Sequence, residues 1–305
     1  MKRITTLLQL LRVYQWTKNL LVFAPLLFAH QLHNPQKILL ALQAFVAFCC
    51  AASATYIIND YWDRERDRTH PRKRHRPLAS GAVSTAFALT VSALLFIAAG
   101  LFAYGLPLGF GFCLGAYVVL TFLYSVRLKD VLLVDVIVIA LGFVIRALAG
   151  ALALQVTFSN WLVVCTLFLA LFLGLAKRRH EITLLEAGAS DHREVLQHYS
   201  VAFLDQLILI VASAAILTYA IYTCAPEVVQ RIGTDKLYLT LPFVVYGLFR
   251  YLYLIHHKTG GGDPSSTLLQ DVPMIITVVG WGLVCALILY WREIYYAFGY
   301  MTAQP

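Results

Sequence analysis

The chain has 305 residues, of which 60% are hydrophobic and only 13% charged, with a mean hydropathy of +0.73. That balance excludes a soluble globular domain and points to an all-α protein that crosses a membrane many times. The formal charge of +8 suits anionic partners, with membrane lipids among them and nucleic acid not expected.

Nine apolar stretches are long enough, or nearly so, to span a bilayer: 20–31, 38–58, 83–104, 107–125, 134–154, 159–176, 205–224, 238–256 and 272–291. The first is short of the roughly 20 residues a spanning helix needs. An extension back through Leu7–Val13 as an interfacial helix would make up part of the difference. Lys2 and Arg3 precede an apolar segment too brief for a cleavable signal, so residue 1 is expected to belong to the mature protein. All six cysteines lie in apolar spans without a CxxC pair, which predicts buried packing rather than disulfides or a thiolate metal site.

Eighteen of the 24 lysines and arginines fall in the N-terminal segment and in the connections 59–82, 126–133, 177–204 and 257–271. Four (Lys37, Arg231, Lys236 and Arg292) fall on the opposite side, and Arg146 and Arg250 lie within spans. The excess of positive charge predicts an integral protein of the inner cell membrane, with the N-terminus and these loops cytoplasmic and the C-terminus outside. The outward connections are short and the inward ones long and charged, so the chemistry belongs to one face. Polar clusters follow the second, fourth and sixth spans. This suggests two related helical halves facing each other over a cavity, although no clear repeat is visible.

The segment after the second span reads NDYWDRERDRTHPRKRHRPLASG, residues 59–81. Asn59, Asp60, Asp63 and Asp67 recur at helical spacing and so share one face. Arg72, Lys73, Arg74 and Arg76 follow directly. A solvated loop with surface ion pairs would account for alternating charges. Carboxylates at the very end of a membrane span, however, are costly unless cations match them. Acids that hold magnesium beside bases that hold phosphate oxygens would make a diphosphate site. Pro71 and Pro77 bracket the basic run, and Ala79-Ser80-Gly81 supplies a turn.

The remaining candidates are less concentrated. In YSVRLKDVLLVD, residues 124–135, the site candidates are Tyr124, Ser125, Lys129 and Asp135. Asp130 and Asp135 are five apart and leave one helical face, so Lys129 with Asp135 is the better pair; topological punctuation is the plain alternative. The run Lys177-Arg178-Arg179-His180-Glu181 caps an apolar helix either as an interfacial anchor or as a phosphate contact. Arg146 lies deep in the fifth span, where an unpaired guanidinium is expensive, so it must meet an anion from protein or substrate. Gly142, Ala147 and Gly150 favour close helix packing beside it. Trp16 and Lys18 are interfacial anchors or a lipid-phosphate contact. His256-His257 and the Gly260–Pro264 turn lack the context of a metal or nucleotide site.

In these residues the chain resembles the UbiA superfamily of intramembrane prenyltransferases, whose first motif NDxxDxxxD is matched by Asn59, Asp60, Asp63 and Asp67. Within that superfamily the likeness is greatest to the branch that transfers phosphoribose to decaprenyl phosphate. His70, Pro71, Lys73, Arg74, Arg76 and Pro77 to Gly81 match that branch's extended signature. The YSxxLK pattern with Asp135, in place of a second DxxxD, fits the same branch, as do GFVIRALAG at 142–150 and KRRHE at 177–181.

The resemblance implies a single domain over 1–305, with nine transmembrane helices around a central cavity and a cytoplasmic active face. It implies Mg2+ on Asn59, Asp60, Asp63 and Asp67. Phosphoribosyl pyrophosphate would be the donor and a polyprenyl phosphate the acceptor, for lipid-linked pentose and cell-envelope glycan synthesis. Asp60, Asp63, Asp67, Lys129 and Asp135 are the implied catalytic set. Lys18, Asn59, Lys73, Arg74, Arg76, Tyr124, Ser125, Arg146, Lys177 and Arg178 are the implied binding set. A lysine in the second motif meets an extra phosphate directly, which suits a phosphorylated sugar donor better than a prenyl diphosphate. Two alternatives stay open: prenyl transfer to an aromatic or glycerol-phosphate acceptor, and a transporter. The prenyl chain length and the oligomeric state are also open.

Overall fold

The computed structural model describes residues 2–69, 73–157, 159–186, 194–257, 270–291, 293 and 295. His70, Pro71 and Arg72 of the extended signature, and the Gly260–Pro264 turn, lie outside them. Among the described residues twelve α-helices follow one another: α1 Lys2–Leu11, α2 Ala24–Phe28, α3 Pro35–Trp62, α4 Arg64–Thr69, α5 Thr85–Tyr104, α6 Leu108–Val126, α7 Val134–Leu154, α8 Asn160–Glu186, α9 Val201–Cys224, α10 Pro226–Ile232, α11 Leu241–His257 and α12 Val272–Leu289. No strand occurs among the described residues. Among the described residues eight helices are long and apolar enough to cross a membrane: α3, α5 to α9, α11 with its lead-in from Lys236, and α12.

The sequence sets the starts of these helices locally. The Asn34 side chain accepts from the Gln36 and Lys37 amides with Pro35 in the first turn, Ser84 caps α5, Ser200 caps α9 and Asp271 caps α12. Each cap satisfies amides that would otherwise be exposed at a helix end. Small residues then let helices approach closely. Ala41, Ala44, Ala47, Ala51, Ala52 and Ala54 of α3 are all buried, and α5 packs along that helix.

The apolar core forms separate clusters. Phe172, Leu204, Ile208, Leu248 and Tyr251 join α8, α9 and α11, while Phe48, Phe110 and Tyr117 join α3 and α6. Helix α7 belongs to both, giving Val136 near its start to the first cluster and Ala149 and Ala153 near its end to the second. Helix α7 thus links these two clusters, and a third, with Phe28, Leu162, Tyr222 and Leu289, joins α2, α8, α9 and α12.

The first expected span differs from the expectation of nine regular helices. Residues Val13–Phe23 form an 11-residue 3-10 helix that continues into the short α2. It runs antiparallel to α3. Arg12 meets Asp60, Trp16 Nε1 donates to Ser53 Oγ at 3.0 Å, Asn19 Nδ2 donates to Cys49 Sγ at 3.3 Å, and the Phe23 and Phe45 rings lie 5.3 Å apart. Eleven residues of this segment thus keep pace with fifteen of α3. A 3-10 helix rises about 2.0 Å per residue and an α-helix about 1.5 Å, so both advance about 22 Å. With α2 the segment reaches about 30 Å, the hydrocarbon thickness, on fewer residues than an α-helix needs.

Candidate active site

Helix α3 ends at Trp62 and α4 restarts at Arg64, but the hydrogen-bond ladder persists across the break. The Asp63 amide donates to the Asn59 carbonyl at 2.9 Å and the Asp67 amide to the Asp63 carbonyl at 2.8 Å. The three aspartates consequently keep the shared face that their spacing predicts. Asp60 and Asp67 are only 3% and 4% exposed. Arg76 Nη1 bridges them, donating to Asp60 Oδ1 at 3.0 Å and to Asp67 Oδ2 at 2.6 Å. Arg12 donates to the same Asp60 oxygen, and its guanidinium lies 5.0 Å from the Tyr56 ring centre. Burial works against the Arg12 charge, yet Asp60 and neighbouring tyrosines hold its pKa above the ordinary value.

Asp63 turns to another partner. Lys129 Nζ donates to its Oδ1 at 2.9 Å and Asn59 Nδ2 to its Oδ2 at 3.1 Å. Two motifs 66 residues apart therefore meet at one aspartate. Among the described residues no three acids, histidines or cysteines converge as a closed metal cage. Magnesium does not require one, since it is commonly held by one or two carboxylates with substrate phosphates completing the shell. The Asp60–Asp67 pair, already sharing one cationic donor atom, is an all-oxygen set of that kind.

The expected Lys129–Asp135 pair is corrected. Asp135, fully buried, instead accepts from Arg178 Nε at 2.6 Å and from the Tyr199 hydroxyl at 2.8 Å. Arg178 also donates to Glu181 and, at 3.2 Å, to the Tyr124 hydroxyl, so each of its three nitrogens has a protein acceptor. The physical reason is reach. Lys129 sits in the 3-10 turn Leu128–Asp130, directed to α3, while Asp135 opens α7 facing α8.

Arg146 is also corrected. It is 4% exposed and its partners are neutral: the Asn19 side-chain oxygen at 2.8 Å, the Gly142 carbonyl at 2.8 Å and the Tyr117 hydroxyl at 2.9 Å, with the Tyr117 ring centre 4.6 Å away. Three neutral dipoles and an aromatic face replace the anion that burial of a charge was expected to demand.

The other candidates divide. Lys73 lies in the turn Lys73–His75 beside the exposed Arg74, both near Arg76 in sequence. Lys18 and Lys177 are half-buried. Ser125 Oγ donates to the Thr121 carbonyl at 2.9 Å, a bond within its own helix. The basic run 177–181 belongs to α8, which continues to Glu186, and so is not the start of a loop. Trp16 faces Ser53 as a bundle contact. Sequence reasoning passed over Arg12, Asn19, Tyr117 and Tyr199. A basic residue opening an apolar stretch was the available signal for Arg12; the tyrosines gave none.

The chain is similar to several known proteins. The chain is 29% identical over 287 residues to a decaprenyl-phosphate phosphoribosyltransferase from Mycolicibacterium smegmatis, covering 91% of this chain and 90% of that one. It is 31% identical to a protein of the same name from Corynebacterium glutamicum, covering 90% and 84%. A solved UbiA homolog from Archaeoglobus fulgidus, bound to GPP and Mg2+, superposes with a TM-score of 0.68 at 20% identity over 93% of this chain and 96% of that one. Residues 20–272 match the UbiA prenyltransferase family, and the chain, an integral membrane transferase, belongs to it.

Proposed function

We propose that the protein transfers 5-phosphoribose from phosphoribosyl pyrophosphate to a polyprenyl phosphate and releases pyrophosphate. The observation that carries this reading is the 2.9 Å contact of Lys129 with Asp63, which puts a cation inside the acid motif. A prenyl diphosphate offers one cluster of phosphates. The sugar donor carries a further 5-phosphate, and Lys129 with Lys73, Arg74 and Arg76 supplies positive charge for it. The names of the two relatives support the same reaction.

Asp60 and Asp67, with Asn59 and Asp63 beside them, would hold Mg2+, which when bound supplies positive charge to the departing pyrophosphate. Arg12 and Arg76, both on Asp60, are placed to neutralise diphosphate oxygens once a metal shares that carboxylate. The acceptor phosphate is ionised near neutral pH, so no side chain has to remove a proton. Its apolar tail would lie among the membrane helices. Binding and orientation then supply most of the rate. The crowded charge at one end of the bundle supports a cytoplasmic N-terminus and site, where a soluble donor is available.

Purified protein with labelled phosphoribosyl pyrophosphate, Mg2+ and decaprenyl phosphate is expected to move label into the organic phase. Removing the metal with a chelator is expected to stop the transfer. Lys129→Ala is expected to raise the donor KM by about tenfold or more, as for a lost charge-assisted hydrogen bond. Transfer from a prenyl diphosphate, with no lipid-linked sugar, would overturn the reading.

A further inference from the structure

The turn that carries Lys129 enters α7 through an unusual backbone. Leu133, the residue capping that helix, has φ at 64°, in the left-handed region that bulky side chains rarely adopt. A glycine would meet this conformation without strain, and the sequence does not use one there. Such a conformation persists only where the surroundings enforce it. Here they do. The Leu133 amide donates to the Tyr199 hydroxyl at 2.9 Å, and that hydroxyl donates in turn to Asp135 Oδ1 at 2.8 Å.

The other flank of the turn is tied to the same cluster. Arg178, held by Asp135, reaches the Tyr124 hydroxyl near the end of α6. Both ends of the α6–α7 connection are therefore fastened to α8 and to the segment before α9, with Lys129 between them. The Tyr199 ring is packed beside Val136 and Leu196 in the core of that half. Burial and the Asp135 carboxylate push the Tyr199 phenol well above its usual pKa, so the hydroxyl stays protonated and keeps its role as a donor.

We propose that Tyr199 is a positioning residue for Lys129, fixing Leu133 and Asp135 so that the turn presents the lysine to Asp63. The inference rests on Lys129 being a donor-phosphate contact. A buried tyrosine in a core commonly does no more than pack, and Tyr199→Phe separates the two roles because it keeps the ring and removes both hydroxyl bonds.

The test uses the full chain in detergent or nanodiscs. In Tyr199→Phe, peptides covering 128–136 are expected to exchange amide hydrogen about tenfold faster, the equivalent of one lost hydrogen bond, while peptides from α6 are unchanged. The KM for phosphoribosyl pyrophosphate is expected to rise about tenfold, with kcat and the KM for polyprenyl phosphate held within about twofold. The double variant Tyr199→Phe, Lys129→Ala should be no worse than Lys129→Ala alone, because one residue acts through the other. Unchanged exchange, an unchanged donor KM or additive losses would each overturn the proposal. If the unsubstituted protein transfers no phosphoribose, the functional reading fails separately, and the exchange measurement still decides whether Tyr199 holds the turn.

Discussion

Asp135 shows how a residue can sit in a functional motif and act on the fold. It is fully buried between Arg178, itself 1% exposed, and Tyr199. Deleting one member of a buried ion pair leaves the other charge uncompensated and costs about 3–5 kcal/mol. Asp135→Ala is therefore expected to lower the thermal unfolding midpoint in detergent sharply, and Asp135→Asn, which keeps an acceptor for Tyr199, to lower it less. Equal midpoints for the alanine variant and the parent would contradict a structural role. The acid motif itself was legible because its four members lie within nine residues and their spacing is helical. Their partners were not, because Arg12, Lys129 and Arg178 reach acids 48, 66 and 43 residues away. Spacing along one helix carries no information about which of several nearby bases will meet a given acid.

At the scale of elements, eight spans were readable because each is an unbroken apolar run ended by a cap or a charge. The first was legible only as a short apolar stretch, because a 3-10 helix covers a given length with fewer residues. What permits it is a single glycine. A Cβ on Gly150 of α7 would lie 2.2 Å from the Val22 carbonyl oxygen, so the 3-10 backbone rests directly on that helix. Arg146 and Asn19 fasten the same contact at 2.8 Å. Gly150→Ala is expected to push the N-terminal segment off α7 and to destabilise by about 1–3 kcal/mol, as overpacking does elsewhere. Because that segment carries Arg12 to Asp60, phosphoribosyl transfer should fall with it. By contrast Gly111→Ala, where an added Cβ meets nothing within 4 Å, should leave the unfolding midpoint in place. A Gly150→Ala midpoint matching that of Gly111→Ala would refute the close approach.

Across the whole molecule, the alternation of helices puts the ends of α3, α6, α8 and α11 at one pole and those of α5, α7 and α9 at the other. The acid motif, Lys129 and Arg178 all lie at the first pole, together with most of the basic side chains. A stretched first crossing would keep the number of passes odd and put the N-terminal helix α1 and the end of α12 on opposite sides. Had Val13–Phe28 failed to cross, α1 would lie on the side of the end of α12, away from the acid motif. Sidedness therefore tests the 3-10 crossing as well as the location of the site. In a background with the six native cysteines replaced, single cysteines at Ile4 in α1, at Arg74, at Glu227 in α10 and at Trp291 after α12 would report the two poles. An impermeant maleimide applied to intact cells is expected to label Glu227→Cys and Trp291→Cys and to reach Ile4→Cys and Arg74→Cys only after the membrane is opened. Labelling of Ile4→Cys together with Glu227→Cys in intact cells would show an even number of passes and remove the stretched segment as a crossing. Labelling of Arg74→Cys in intact cells would put the acid motif outside, away from any cytoplasmic sugar donor, and the proposed reaction would lose its substrate.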